Sequence, residues 1–251
     1  MIKKRTMGVL AILALAGLVA APAAAQSAET SNKWTFELMP LFWGSGINID
    51  SQTSAGKQTI DLKFSDIMKD VHFGALGTFE MRKDRLGFLL DGMYVDIRKS
   101  IPQTPQTPGD LSLKSQQSGV SLAVVFRVTR GRTILDLLGG ARYNYMYSLI
   151  DVTSGPYMGL SSETKDSWVD GFGGARLLVP LAKSWTFLAY GDLGAGGSKI
   201  AYQTKGAVNW RLSRVFALEL GYRHQYFHRV TDGDIFKMAK SGVYLGLGIK
   251  F

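Results

Sequence analysis

The chain contains no cysteine, so disulfides and thiolate chemistry are both excluded. Histidine is scarce as well: His72, His224 and His228 are all there are. No zinc spacing, phosphate-binding glycine loop or nucleotide fingerprint is present. Beyond the first 25 residues, every apolar stretch is cut by charge or glycine before it reaches the roughly 20 residues of a helical membrane span. Basic runs interleaved with aromatics are missing too, which argues against nucleic acid. Proline is sparse, and three of the seven crowd into 102–108, marking a loop.

What is present begins with an export signal. Met1-Ile-Lys-Lys-Arg5 is basic, Met7 to about Ala21 is apolar, and Pro22 followed by Ala23-Ala-Ala25 supplies an A-x-A cleavage site. Residues 1–25 are therefore expected to be a cleaved secretory signal and 26–251 a single domain. Lys3, Lys4 and Arg5 leave with the signal, taking the net charge from +9 to +6. That is mildly basic and fits a surface near anionic lipid.

From there to the end, residues alternate with period two. Ten strands are expected, at about 33–49, 72–82, 86–97, 117–129, 133–150, 165–179, 185–194, 199–212, 215–227 and 241–251. Eight is the alternative, should 185–212 not form a hairpin. Links after the second, fourth, sixth and eighth strands are short. Those after the first, third, fifth and ninth are long, the pattern of short turns on one side of a membrane and long loops on the other. A strand protein can span a bilayer only as a closed barrel, because lipid offers no partner to a free strand edge. The expected fold is all-β: a closed antiparallel transmembrane barrel with a polar lumen and a lipid-facing apolar exterior.

The aromatic residues decide which face is outermost. Trp34, Phe79, Phe88, Phe126, Trp185, Trp210, Phe216 and Phe251 lie near short turns, and Phe73, Tyr94, Tyr145, Tyr147, Tyr202 and Tyr226 near the opposite strand ends. Two belts of rings with aliphatics and glycines between them suit two lipid–water interfaces. The other face, which carries few apolar rings on this reading, gathers the charges: Glu37, Glu80, Arg82, Asp91, Arg127, Asp136, Arg142, Asp170, Arg176, Asp192, Lys205, Arg211, Glu219, Arg223 and Lys250. An Arg or Lys facing lipid at mid-depth costs about 2–4 kcal/mol, which enclosure removes. A small barrel is filled by its own side chains, so these groups are expected to form a structural salt-bridge network that plugs or narrows the lumen.

The closing run Tyr244-Leu-Gly246-Leu-Gly-Ile249-Lys-Phe251 resembles the signal read by the outer-membrane insertion machinery. With the export signal and the alternating strands, it makes the chain resemble the small outer-membrane β-barrel proteins of Gram-negative bacteria, the broad OmpA/OmpW-like, porin-like group. That resemblance implies residence in the outer membrane and contact with its lipid and lipopolysaccharide, as a monomer, in a structural envelope role or as a narrow passive channel. The alternative is a channel for a small solute or hydrophobic molecule with a lateral exit. A rim hydrolase using His224 or Asp232 is a further alternative, but His224 shares the lipid-facing parity of Tyr222 and Tyr226. No catalytic, cofactor or metal residue is nominated; Asp232 and Asp234 read as solvated loop acids. Phe64, Ile67, Met68 and Val71 have helical spacing, with Ser65 as N-cap, and predict a short helix at the outer mouth.

Overall fold

A computed structural model describes residues 33–53, 56–103, 109–231 and 233–251 of the chain; the expected signal, 1–25, and Asp232 lie outside them. Eleven strands and one helix follow in order: β1 (Thr35–Thr53), β2 (Gly56–Leu62), α1 (Phe64–Asp70), β3 (Val71–Lys83), β4 (Leu86–Ile101), β5 (Leu111–Arg127), β6 (Ile134–Val152), β7 (Ser161–Ala182), β8 (Trp185–Gly196), β9 (Ile200–Arg211), β10 (Phe216–Thr231) and β11 (Asp234–Lys250). From β3 to β11 each strand pairs antiparallel with the next, β1 pairs with both β2 and β3, and β11 returns to pair with β1 from Glu37↔Lys250 to Gln52↔Ile235. Ten staves, β1 and β3 to β11, thus close the barrel. At the short-turn rim the backbones of Phe36 and Phe251 exchange two hydrogen bonds of 3.0 Å, which fastens the seam.

Alternation places the apolar residues outside. Leu122, Leu137, Val169, Leu193, Leu220, Val243 and Leu245 are all exposed large hydrophobics. Arg142 and Glu219, the ionised neighbours of such positions, are buried within. Ring pairs mark both rims. Trp185 stacks on Trp210 (5.2 Å) and Phe36 on Phe251 (5.7 Å) near the short turns. Tyr202 stacks on Tyr226 (5.0 Å) and Phe73 meets Tyr94 (6.0 Å) toward the loops. An apolar girdle bounded by two aromatic belts around an enclosed charged interior is that of an outer-membrane β-barrel.

The strands run further at the loop end than their alternation predicts. β10 and β11 meet in a tight hairpin, Thr231↔Asp234, where a long loop is expected after the ninth strand. β7 starts at Ser161 and β5 at Leu111. Beyond the membrane both faces of a hairpin are wet, so the sequence there has no reason to alternate. β2 is exposed along its whole length for the same reason, and is an eleventh strand that the pattern does not reveal.

The helix is present, with one difference. Its N-cap is Lys63, not Ser65, and that cap makes no side-chain hydrogen bond. Ile67 is its buried residue.

Candidate functional site

In its short-turn half the lumen is filled by ions paired with one another. Glu80 and Asp136 hold Arg82, Arg127 and Arg176 between them. Arg176 spans both acids (2.6 Å to Glu80, 2.8 Å to Asp136), Arg82 does likewise (2.7 and 3.1 Å), and Arg127 reaches the second oxygen of Asp136 at 3.0 Å. Asp136 is 0% exposed. A second layer lies above. Asp91 accepts from Arg223 (2.9 Å) and Lys205 (3.3 Å), Asp192 accepts from Arg142 (2.8 Å) and the Tyr190 hydroxyl (2.6 Å), and Glu219 accepts from the Tyr244 hydroxyl (2.8 Å). Fork-shaped guanidiniums bridging two acids are the strong form of this contact.

Four of the expected network residues, Arg211, Glu37, Lys250 and Asp170, stand apart from it. Arg211 is exposed at the rim and donates to the carbonyl of Lys183. Glu37 pairs only with Lys250, at 3.4 Å, at the same end. Asp170 is buried without a cation among the described residues, accepting instead from Trp168 Nε1, the Ser198 N–H and the Ser198 hydroxyl. A neutral cap on the β8–β9 turn replaces the ion pair that parity suggests. Of the insertion-signal residues, Tyr244 and Gly246 face the lumen, and Ile249 and Phe251 face out.

The expectation of few lumenal rings is overturned. Trp43, Trp168, Phe172 and Phe227 are all buried within. Three arginines lie over three of these rings: Arg223 on Trp43 (4.9 Å), Arg142 on Phe172 (4.8 Å) and Arg229 on Trp168 (4.6 Å). In the loop half the filling becomes apolar. Ile47, Ile67, Trp168, Ala201, Phe227 and Met238 form one buried cluster, and α1 contributes Ile67 to it.

Here the wall is incomplete. β1 pairs with β3 only from Thr35↔Arg82 to Pro40↔Gly77. Further up, β1 pairs with β2 instead, from Ile47↔Leu62 to Thr53↔Gly56. Among the described residues, 41–46 of β1 therefore have no ladder partner on that side. Pro40 sits where the ladder ends, and the ladder to β11 also skips residues 39 and 40. Proline lacks the N–H and fixes φ, so it belongs at a strand edge rather than inside a continuous wall. Its position in an otherwise regular alternation is the signal in the sequence that points to this break.

A cavity of about 170 Å³ occupies the gap. Lumenal Leu41, Trp43, Ile47, Leu76, Met93 and Ile97 line it, as do Phe64, Ile67 and Met68 of α1 and the outward-facing Phe42, which is 55% exposed. The Phe64 ring lies over the space that a Cβ on Gly44 would approach, and meets Phe42 edge-on at 6.0 Å. Asp70 at the end of α1 pairs with Lys99 of β4 at 3.0 Å, tying the helix to the far side of the gap. The cavity is thus lined from both lumen and exterior, with α1 along it.

His224 faces outward, its Nδ1 2.6 Å from the Ser241 hydroxyl and its ring beside Tyr202. No carboxylate contacts it among the described residues, and its proposed partner Asp232 is outside them. No group of His, Cys, Asp and Glu able to hold a metal occurs among the described residues.

No family model matches the chain, and no curated protein does. Several solved structures resemble it. The translocator domain of the autotransporter NalP from Neisseria meningitidis is 11% identical over 89% of this chain and 90% of that one, with a TM-score of 0.46. The outer membrane protease OmpT from Escherichia coli is 8% identical over 88% and 98%, with a TM-score of 0.49. The attachment invasion locus protein Ail of Yersinia pestis is 11% identical over 87% and 98%, with a TM-score of 0.38. Each is a resemblance of overall shape and brings no role with it.

Proposed function

We propose that this outer-membrane barrel admits small apolar molecules sideways, between β1 and β3, and does not conduct ions along its axis. The observation that carries this reading is the end of the β1–β3 ladder at Pro40↔Gly77, with an apolar cavity filling the space above it. A cavity of about 150 Å³ lined by Leu, Ile and Phe stays dry and takes up benzene. One of about 170 Å³ with Phe, Ile, Leu, Met and Trp around it has the size and chemistry for a single ring or a short chain. Below it, the Glu80–Asp136 layer closes the axial route with paired charge. The exit for an apolar guest is then past Phe42 into the acyl chains. The barrel works as a monomer in this reading, and no residue has a catalytic role.

Trp43 lines the cavity and supplies the readout. Bromobenzene quenches indole on contact. Titrated into the purified barrel, it is expected to give a saturable quench that disappears in Trp43→Phe, while planar bilayers containing the barrel stay silent. A quench that never saturates, or is unchanged in Trp43→Phe, overturns the side opening. Discrete conductance steps overturn the sealed axis and favour the narrow passive channel.

A further inference from the structure

Four cations are buried among the described residues: Arg142, Arg223, Arg229 and Lys240. The three arginines each meet a carboxylate, on Asp192, Asp91 and Asp166. Lys240 meets none. It stands on β11 between Ile47 of β1 and Gln225 of β10, 5% exposed, with neither a hydrogen bond nor an ion pair among the described residues, and it lines the cavity of the side opening. Beside it, the buried Gln225 leaves its amide oxygen without a partner. In the lumen's ion layers, by contrast, Asp91, Asp136, Asp192 and Glu80 each meet a cation at 2.6–3.3 Å. Here a buried lysine lines an apolar chamber and meets no carboxylate among the described residues.

An unpaired buried ammonium is costly, and the cost is relieved when an anion with matching geometry arrives. The cavity walls ask for an apolar body and Lys240 asks for a negative head. We infer that the guest of the side opening is a small apolar monocarboxylate, its carboxylate on the Lys240 amine and its hydrocarbon part against Trp43, Leu76, Met93 and Ile67. This rests on the reading of the opening as an apolar-molecule site and names the class of molecule it takes. Lysine suits the task as a point charge: it selects for negative charge without demanding the planar two-point contact of a guanidinium.

Displacement of bromobenzene from the full-length barrel, read at Trp43, tests the assignment. Octanoate is expected to displace it at about one tenth of the concentration that octanol needs, the margin of one charge-assisted hydrogen bond. In Lys240→Met octanoate falls to the level of octanol, while octanol itself is unchanged; Lys240→Arg keeps the preference for octanoate. Equal displacement by the two probes in the unaltered protein overturns the carboxylate assignment and leaves the side opening standing. So does an octanoate preference that survives Lys240→Met. Absence of a saturable bromobenzene site removes both. Should Lys240→Met fail to fold, seen as loss of the heat-dependent gel shift, the octanoate–octanol contrast in the unaltered protein decides alone.

Discussion

The two halves of the lumen are built by opposite rules. Toward the short turns, Asp136 and Glu80 share three arginines at 2.6–3.1 Å, and the wall around them is continuous. Toward the loops, the wall breaks at Pro40, the filling is Ile47, Ile67, Phe227 and Met238, and a buried lysine has no partner. The first arrangement satisfies every charge from inside the protein and leaves no reason for a guest. The second leaves a gap, an apolar lining and an unmet charge together. On the proposed reading, one such closed layer is enough to block the axis, which frees the other half to be imperfect.

The sharpest way to break this comparison is to remove the acid on which the closed half depends. Asp136→Leu strips the shared carboxylate from Arg82, Arg127 and Arg176 and leaves three guanidiniums crowded in a dry layer. Loss of one partner of a buried ionic cluster costs about 3–5 kcal/mol. The urea midpoint of the folded, heat-shifting band should fall accordingly. Lys240→Met in the open half deletes a charge that has no partner and should lower that midpoint not at all. Equal losses at the two sites would show that the halves are not energetically distinct.

A smaller, local effect tests how α1 is held. Ile67 is buried in the loop-half cluster, whereas Met68 is 42% exposed. Replacing both by Ser removes the apolar anchor of α1, and a buried Ile truncation costs about 2–5 kcal/mol where neighbours cannot collapse. Because α1 is held by little besides Ile67, Phe64 and the Asp70–Lys99 pair, that cost falls on the helix and not on the barrel. Protease should then cut between β2 and β3 in the folded double variant while its heat-dependent gel shift persists. An uncut helix would mean that α1 is held by something other than Ile67.

What the sequence discloses follows the same division. Where lipid lies on one side and charge on the other, alternation is obligatory, and the ten staves, their facing and most of the ion layers, from Glu80 to Arg223, are legible residue by residue. Legibility fails where that contrast fades. Gly56–Leu62 is polar and exposed on both faces, so β2 leaves no pattern. The loop-end extensions, such as Ser161–Thr164 of β7, are equally wet on both sides. Asp170 shares the parity of the network, but parity cannot say whether a carboxylate will meet a cation or the Ser198 N–H. Lys240 is hidden for a related reason: a lysine among Met238, Ala239 and Ser241 reads as the start of a loop when the strand is taken to begin there. Pro40 was the one local clue to the side opening, and it sits inside an unbroken run of alternating residues.

The smallest expected effect lies at the loop rim, outside the membrane. Asp110, between β4 and β5, accepts a hydrogen bond from the Gln103 backbone N–H at 2.7 Å, while its own N–H donates to the Ser154 hydroxyl at 2.8 Å. The Gln103 N–H, and after it the Ser154 hydroxyl, hold the Asp110 carboxyl below its ordinary range. A folded value below the unfolded one, about 3.9, means that the ionised form favours the pinned loop. That preference is complete above about pH 4 and is lost as pH falls through the folded value. The protection of the Gln103 amide against hydrogen exchange should therefore be flat from neutral pH down to about 5 and decline below 4. In Asp110→Ala it should be low throughout and independent of pH. Because the group is fully solvated, the barrel itself should not register the change: its heat-dependent gel shift should be the same at pH 7 and pH 4. A parallel loss of the folded band on acidification would tie this loop to the closed half of the lumen, from which the structure separates it by the whole height of the wall.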